Sequence, residues 1–268
     1  ENVSDTVKIT QKVTPAVPVR TYQATLTQIK EPYNVIVQRP SDSIPSKGGV
    51  RVMMKPKISE GLGGVIEYMK NYPYVCFEQK VSKAIALSDH AMWDGLMNEL
   101  PSYLDGDGLV KYFPVRFISG SDTLTSYVLS VSHEAKYQVP KTLRDKMTAG
   151  LKGFIQGRVV RWSNMPTADL SIRKLSAVET LSRYNEAQAN LLDSVAIEPN
   201  LWPTSAVLDW INILARVNGI PDREGKLKKA QSILRSRLNF QGTVMNISTE
   251  RSDYCWWLMV SPDTNAIK

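Results

Sequence analysis

"DTLTSYVLSVSHEAKYQVPKTLRDKMTAGLKGFI", residues 122–155, reads as a helical hairpin: a Thr- and Ser-rich start, an apolar helix, a short linker carrying a proline, and a basic second helix. The same order returns in "WPTSAVLDWINILARVNGIPDREGKLKKAQSILRSRL" (202–238), and "ADLSIRKLSAVETLSRY" (168–184) supplies a related helix between them. Helix pairs that recur at several tens of residues define stacked hairpins, either a solenoid or a closed α/α toroid. In such a stack inner helices are more apolar and outer ones more charged, as here. The Leu, Met and Trp stripes therefore read as core, not as a ligand-binding box.

Outward from these hairpins the pattern changes. Upstream, Leu62, Val65, Ile66 and Met69 fall at helical spacing, and a second helix opens at Cys76 and Gln79 and continues through Val81, Ala84, Ile85 and Leu87. A glycine-punctuated turn, "LDGDGLVKYFP" (104–114), precedes the hairpin. The first fifty residues instead alternate polar with apolar or β-branched side chains, the period of half-buried strands. "TVKITQKVTP" (6–15), "VRTYQATLTQI" (19–29), "NVIVQRP" (34–40) and "GGVRVMMKP" (48–56) are the expected strands, the last two separated by the turn-rich "SDSIPSKGG". Some fifty residues are too few for a complete β-sandwich, so residues 1–50 read as half a domain and 51–268 as a helical one. "WWLMVSPDTNAIK" ends the chain without a cap or closing element, which reads as a truncation.

Composition narrows the function classes. With 43% hydrophobic and 22% charged residues, this is the make-up of an ordinary globular chain. No apolar run reaches the roughly 18 residues of a membrane span, and the first residues lack the basic and apolar regions of a signal peptide. The net charge of +7 is scattered, and its densest patch, residues 223–237, reads as one solvated helix face. Nucleic-acid binding is not expected, because basic and aromatic residues do not interleave along a groove. Two cysteines and two histidines leave a zinc site or a Ser-His-Asp triad poorly supplied. No metal or cofactor is expected.

"NYPYVCFEQK" (71–80) carries the chemistry. Cys76 admits four readings. As a free thiol it can be a buried small hydrophobe. At a helix start it can be a nucleophile, its pKa lowered by the first-turn amides, though no base can be placed beside it from sequence. A metal ligand lacks partners. The fourth reading pairs Cys76 with Gln79: sulfur attacks the side-chain amide carbon, ammonia leaves, and an internal thioester stores an activated acyl group. Tyr68, Tyr72, Tyr74 and Phe77 would form an aromatic collar that excludes water from it. Cys255, in "SDYCWWLMV" (252–260), reads with Trp256 and Trp257 as core.

"CFEQ" matches Cys-x-Glu-Gln, and the chain here resembles the thioester region of the α2-macroglobulin and complement family. "YPYVC" is similar to the approach to that motif in bacterial α2-macroglobulins, and "IPSKGGVRVMMKP", "LDGDGLVKYFP" and "SDTLTSYVLSVSHEA" extend the likeness along nearly the whole chain. The resemblance implies an α/α toroid inserted into a CUB-type β-sandwich, the strands of 1–50 being that sandwich's first part and the ring incomplete at its C-terminal end. It implies Cys76 as thioester sulfur, Gln79 as acyl donor, Glu78 as the motif's acid and Tyr72 as a shield of the bond. A helix-dipole role suffices for Glu78 on physical grounds.

Full-length relatives are bacterial defence proteins that trap proteases: cleavage of a bait region exposes the thioester, which couples to a protease lysine. The resemblance thus implies target proteases and the other macroglobulin domains as partners, with a peptidoglycan-polymerising penicillin-binding protein as a further one. It also implies a periplasmic location and a parent lipid-anchored to the inner membrane. The chain would be a single-turnover protease inhibitor rather than an enzyme. His90 and His133 lie too close to Cys76 in sequence to match the histidine that redirects some complement members to hydroxyls, so amines are the expected targets. Two alternatives remain open: a non-covalent scaffold of helical hairpins, and a glycosidase on an α/α toroid drawing on Asp105, Asp107, Asp122 or Asp209.

Overall fold

The computed structural model describes residues 7–11, 28–54, 63–165, 169–195, 202–241, 244–247 and 256–268. The chain divides into Glu1–Glu60 and Gly61–Lys268, a boundary later than the one read from the strand pattern.

The second unit is mainly helical. Its elements are α1 (Gly63–Lys70), α2 (Phe77–Ala86), α3 (His90–Tyr103), α4 (Asp122–Glu134), α5 (Lys141–Ile155), α6 (Leu170–Arg183), a 3-10 segment (Ala189–Ser194), α7 (Thr204–Arg216) and α8 (Arg223–Arg237). They are followed by β1 (Leu238–Gln241), β2 (Val244–Ile247) and α9 (Pro262–Ile267). α2 packs on α4, α4 on α6 and α6 on α7, one continuous layer. The second layer is α3 on α2, α5 on α4 and α6, the 3-10 segment on α6 and α5, and α8 on α7. Residues 122–155 are thus the α4/α5 hairpin and 202–238 the α7/α8 hairpin. The third hairpin is α6 with only a 3-10 segment for its partner.

The layers follow from where the apolar residues fall. Leu124, Val128 and Leu129 of α4, Leu175, Val178 and Leu181 of α6, and Ile213 and Leu214 of α7 are wholly buried. Each such side chain contributes about 1.5–3 kcal/mol relative to exposure. α8, whose sequence is rich in Lys and Arg, buries only Ala230. The contrast between α7 and α8 is the inner-outer asymmetry expected of stacked hairpins. The starts of α3 and α4 are capped by side chains: Asp89 accepts from Met92 N at 2.9 Å and Ser121 from Leu124 N at 3.2 Å.

Helix ends repeat one device. After α2, α4, α5 and α6 comes a residue at positive φ: Ser88, Lys136, Gly157 and Asn185. The next amide bonds back into the last turn, as Asp89 N to Ala84 O at 2.9 Å, Tyr137 N to Ser132 O at 2.8 Å, Arg158 N to Gly153 O at 2.9 Å and Glu186 N to Leu181 O at 3.0 Å. This left-handed closure satisfies the orphan carbonyls and reverses the chain sharply.

The helix read upstream of Cys76 forms as α1, but it buries no residue, and Val65 and Ile66 stay exposed. The strands expected at 34–40 and 48–56 are not formed in their described residues, 34–40 and 48–54. Their backbone is irregular, and Ile36 and Met54 are 85% and 83% exposed. A strand is completed by a ladder partner, and the alternation specifies only which faces it would present. The expected strands at 6–15 and 19–29 fall largely outside the described residues. The hairpin of β1 and β2, paired antiparallel from Leu238 with Ile247 to Gln241 with Val244, was not anticipated.

Candidate functional site

Cys76 is the N-cap of α2, in an extended conformation (φ −65°, ψ 164°). Extended backbone at this point, just after Pro73, lets the chain turn into the helix with the sulfur folded over its first turn. The sulfur faces the Gln79 backbone N–H, while Gln79 Oε1 accepts from the Cys76 backbone N–H at 3.1 Å. This reciprocal arrangement is a capping box in which cysteine takes the place of serine or threonine and glutamine holds the third helical position. It follows directly from the spacing of Cys76 and Gln79, and it brings the thiol and carboxamide side by side. The hydrogen bond from Cys76 N–H also polarises the carboxamide carbonyl.

The flanking elements pin this turn. The Phe77 amide donates to Tyr112 O at 2.9 Å, tying α2 to the segment after α3. That segment is held by Asp105, whose Oδ1 accepts from Asp107 N (3.0 Å) and Leu109 N (2.9 Å). Its Oδ2 accepts from Gly120 N (2.8 Å) and Arg161 (2.6 Å). Gly108 sits at φ +84° with its α-carbon close against α5, where a Cβ would lie 2.4 Å from the Lys146 carbonyl oxygen. Sequence reading missed Tyr112 as part of the site, although it lies in the quoted stretch 104–114.

Burial decides the state of the thiol. Cys76 is 7% exposed. Desolvation pushes its thiol above the ordinary range and the Glu78 carboxylate adds to the rise, against the lowering effect of the Gln79 and Glu78 amides. The expectation of a lowered pKa at the helix start is therefore corrected: two first-turn amides do not outweigh burial beside a carboxylate. Cys76 rests as a protonated thiol.

Glu78 faces the sulfur, with Oε2 3.9 Å from Cys76 Sγ. Tyr72 is half-buried between Tyr68 (ring centroids 5.5 Å apart) and Tyr74 (5.3 Å). Burial chiefly, with Tyr68, Glu78, Tyr74 and Cys76, raises the Tyr72 phenol, placing it within electrostatic reach of the sulfur. Tyr112 is pushed up to about 12 by burial and by Glu78, Cys76 and Asp122. Phe77 departs from the expected collar: it is fully buried, its ring 4.5 Å from Tyr103, and anchors α2 in the core. Tyr74 is 61% exposed, so the collar is open on that side.

Other candidates sit elsewhere. His90 stacks on Tyr137 and His133 packs edge-on against Tyr184. The carboxylates considered for glycoside chemistry are each held by a cation. Asp105 and Asp107 bind Arg161, Asp122 binds Arg173, and Asp209 binds Lys268. Cys255 lies outside the described residues, whereas Trp257 donates to Asp169 at 2.8 Å. Among the described residues no cluster of His, Cys, Asp and Glu is placed to hold a metal ion, and no helix is long and apolar enough to cross a membrane.

The architecture is that of an α/α helical-hairpin domain with a cysteine–glutamine capping box at the start of an inner helix. Among solved structures, the fold is similar to part of native Escherichia coli alpha-2-macroglobulin seen by cryo-electron microscopy. That match has a TM-score of 0.51 and 17% identity, over 64% of this chain and 12% of the other. A crystal structure of the same E. coli protein, spanning domain MG7 to the C-terminus, matches at a TM-score of 0.49 and 16% identity, over 65% of this chain and 30% of that one. The chain therefore spans a small part of these proteins' length. No family model and no curated protein matches the sequence.

Proposed function

We propose that this chain is the thioester domain of a bacterial α2-macroglobulin-like protease trap. The observation that carries the reading is the capping box itself. A buried sulfur and a carboxamide are held across one helical turn, and the carboxamide oxygen accepts from the Cys76 amide at 3.1 Å. The Cys-x-Glu-Gln motif and the similarity of the fold to part of E. coli alpha-2-macroglobulin support it.

In this reading the Cys76 sulfur attacks the Gln79 amide carbon. The Cys76 backbone N–H stabilises the oxyanion of the tetrahedral intermediate, as preorganised donors do in acyl transfer. Collapse expels ammonia and leaves the thioester. An amine then attacks the same carbon, forming an amide at position 79 and releasing Cys76 as a thiol. The partners are lysines of an attacking protease and the other macroglobulin domains of the parent protein. The location is extracytoplasmic, in the periplasm, with the parent anchored by lipid. The strand-like segments of 1–50 belong to a CUB-type sandwich whose ladders are completed by other parts of the parent.

The test is the intact mass of the 268-residue chain with and without methylamine, together with thiol titration. A mass short by one ammonia, with a new thiol on methylamine treatment mapped to Cys76, is expected. Full mass with Gln79 still an amide would leave a helical scaffold without covalent chemistry. Methylamine should also outcompete glycerol as acceptor, and comparable glycerol acylation would overturn the preference for amines.

A further inference from the structure

The thioester reading leaves one proton to be carried from sulfur to nitrogen. Thiol plus carboxamide becomes thioester plus ammonia, so the sulfur must lose a proton and the departing nitrogen must gain one. Burial keeps the Cys76 thiol protonated at rest, and the histidines pack elsewhere, His90 on Tyr137 and His133 on Tyr184. Glu78 is the ionisable group whose carboxylate is aimed at the sulfur, its Oε2 3.9 Å from Sγ.

That aim is not left to the side chain alone. Ser82, one turn further along α2, donates to the Glu78 carbonyl oxygen at 2.8 Å and lies 3.3 Å from Glu78 Oε1. Ser82 Oγ in turn lies 2.6 Å from the hydroxyl of Tyr127 on the neighbouring helix α4. The single Ser82 proton is committed to Glu78, so Tyr127 is the donor in this pair. Burial raises the Tyr127 phenol, which therefore stays protonated and keeps donating. The one Ser82 proton is shared in a three-centre hydrogen bond, mainly with the Glu78 carbonyl and more weakly with Oε1, so the hydroxyl chain from α4 biases the carboxylate toward the pose in which Oε2 faces the sulfur.

Resting on the thioester reading, we infer that Glu78 is the proton carrier of the acyl transfer, and that Ser82 and Tyr127 are its positioning residues. In thioester formation the carboxylate takes the Cys76 proton as sulfur attacks Gln79, and the resulting carboxylic acid returns it to the nitrogen, which leaves as ammonia. In aminolysis the carboxylate takes a proton from the attacking amine and passes it to the departing Cys76 sulfur. Each cycle returns Glu78 to its carboxylate, and no oxidant or further reactant is consumed. The present sulfur-to-oxygen separation is that of the resting site, and catalytic hydrogen bonds commonly tighten only as the reaction begins.

The experiment uses the full 268-residue chain. It reads the thioester-bearing fraction by intact mass, and the rate of cleavage by methylamine across pH, corrected for the fraction of free amine. Glu78→Gln is expected to lower the thioester fraction, to slow aminolysis about a hundredfold or more and to abolish the acid limb of the rate profile. Ser82→Ala and Tyr127→Phe should lower the thioester fraction and slow aminolysis several-fold while the melting temperature holds, and Ser82→Thr should restore the wild-type rate. A purely structural role would change stability and leave the aminolysis rate of the folded chain unchanged.

If Glu78→Gln carries a wild-type thioester fraction and reacts within about twofold of wild type, the proton-carrier assignment falls while the thioester reading stands. If the wild-type chain itself shows full mass with Gln79 intact, both fall. Should Glu78→Gln not fold, Tyr127→Phe decides: an aminolysis rate within about twofold of wild type overturns the proposal.

Discussion

Replacing Asp105 by asparagine changes one atom and is expected to destabilise the domain by about 2–4 kcal/mol. The magnitude comes from the donors around the carboxylate. Oδ1 receives the amides of Asp107 and Leu109, and Oδ2 receives the Gly120 amide and the Arg161 guanidinium. Asparagine keeps one oxygen, so its NH2 must confront one of these pairs. Either two loop amides lose their acceptor, or Gly120 does and Arg161 loses half of its anionic support. Each unsatisfied donor costs about 1–3 kcal/mol. The Asp105 side chain is 13% exposed, and Arg161 keeps Asp107 and the Gly120 carbonyl, so the lower part of the summed range applies.

For a chain of this size the corresponding fall in melting temperature is about 5–15 °C by calorimetry. Burial pushes the Asp105 carboxyl up, but the Leu109 and Gly120 amides and Arg161 outweigh it and hold it below the ordinary 3.8. The unfolded chain therefore binds the proton first as pH falls. The stability from Asp105 is complete above pH 3.8 and is lost as pH drops through the depressed folded value. The gap between wild type and D105N should accordingly be widest at neutral pH and close in acid. A loss below about 0.5 kcal/mol at neutral pH, or a gap that stays constant into acid, would refute this account of the loop.

Two further substitutions test the backbone. Gly108→Ala places a Cβ 2.4 Å from the Lys146 carbonyl at φ +84°, and should cost more than about 2 kcal/mol by urea denaturation; a neutral result would mean that the segment does not press on α5. Lys136→Gly relieves an exposed non-glycine residue at φ 63° after α4. Relief of roughly 1–2 kcal/mol of left-handed strain should exceed the roughly 0.5–1 kcal/mol of added unfolded-state freedom, raising the melting temperature by a few degrees.

What could be read from the sequence, and what could not, divides by the range of the contacts involved. The α4/α5 and α7/α8 hairpins were legible because helical periodicity and burial coincide there: the apolar positions of α4 and α7 are those that sink between neighbouring helices. The pairing of Cys76 with Gln79 was legible because a capping box needs only a spacing of three residues. The electrostatics of the same turn were not. First-turn amides argued for a thiolate, whereas burial in the folded domain and the Glu78 carboxylate raise the thiol. Asp105 entered only as a candidate glycosidase carboxylate, because its decisive partner, Arg161, stands 56 residues away.

Glu78 shows the limit most sharply. Within the motif it is an acid in a first helical turn, and the helix dipole accounts for that much. Its aim at the sulfur involves Ser82, a polar residue that no local rule singles out. It involves also Tyr127, 45 residues beyond Ser82 on a helix that periodicity marks only as core. A contiguous motif can name the atoms that react. The groups that hold their protons in place are chosen by the packing of α2 against α4, so they become visible only when the hairpins are stacked.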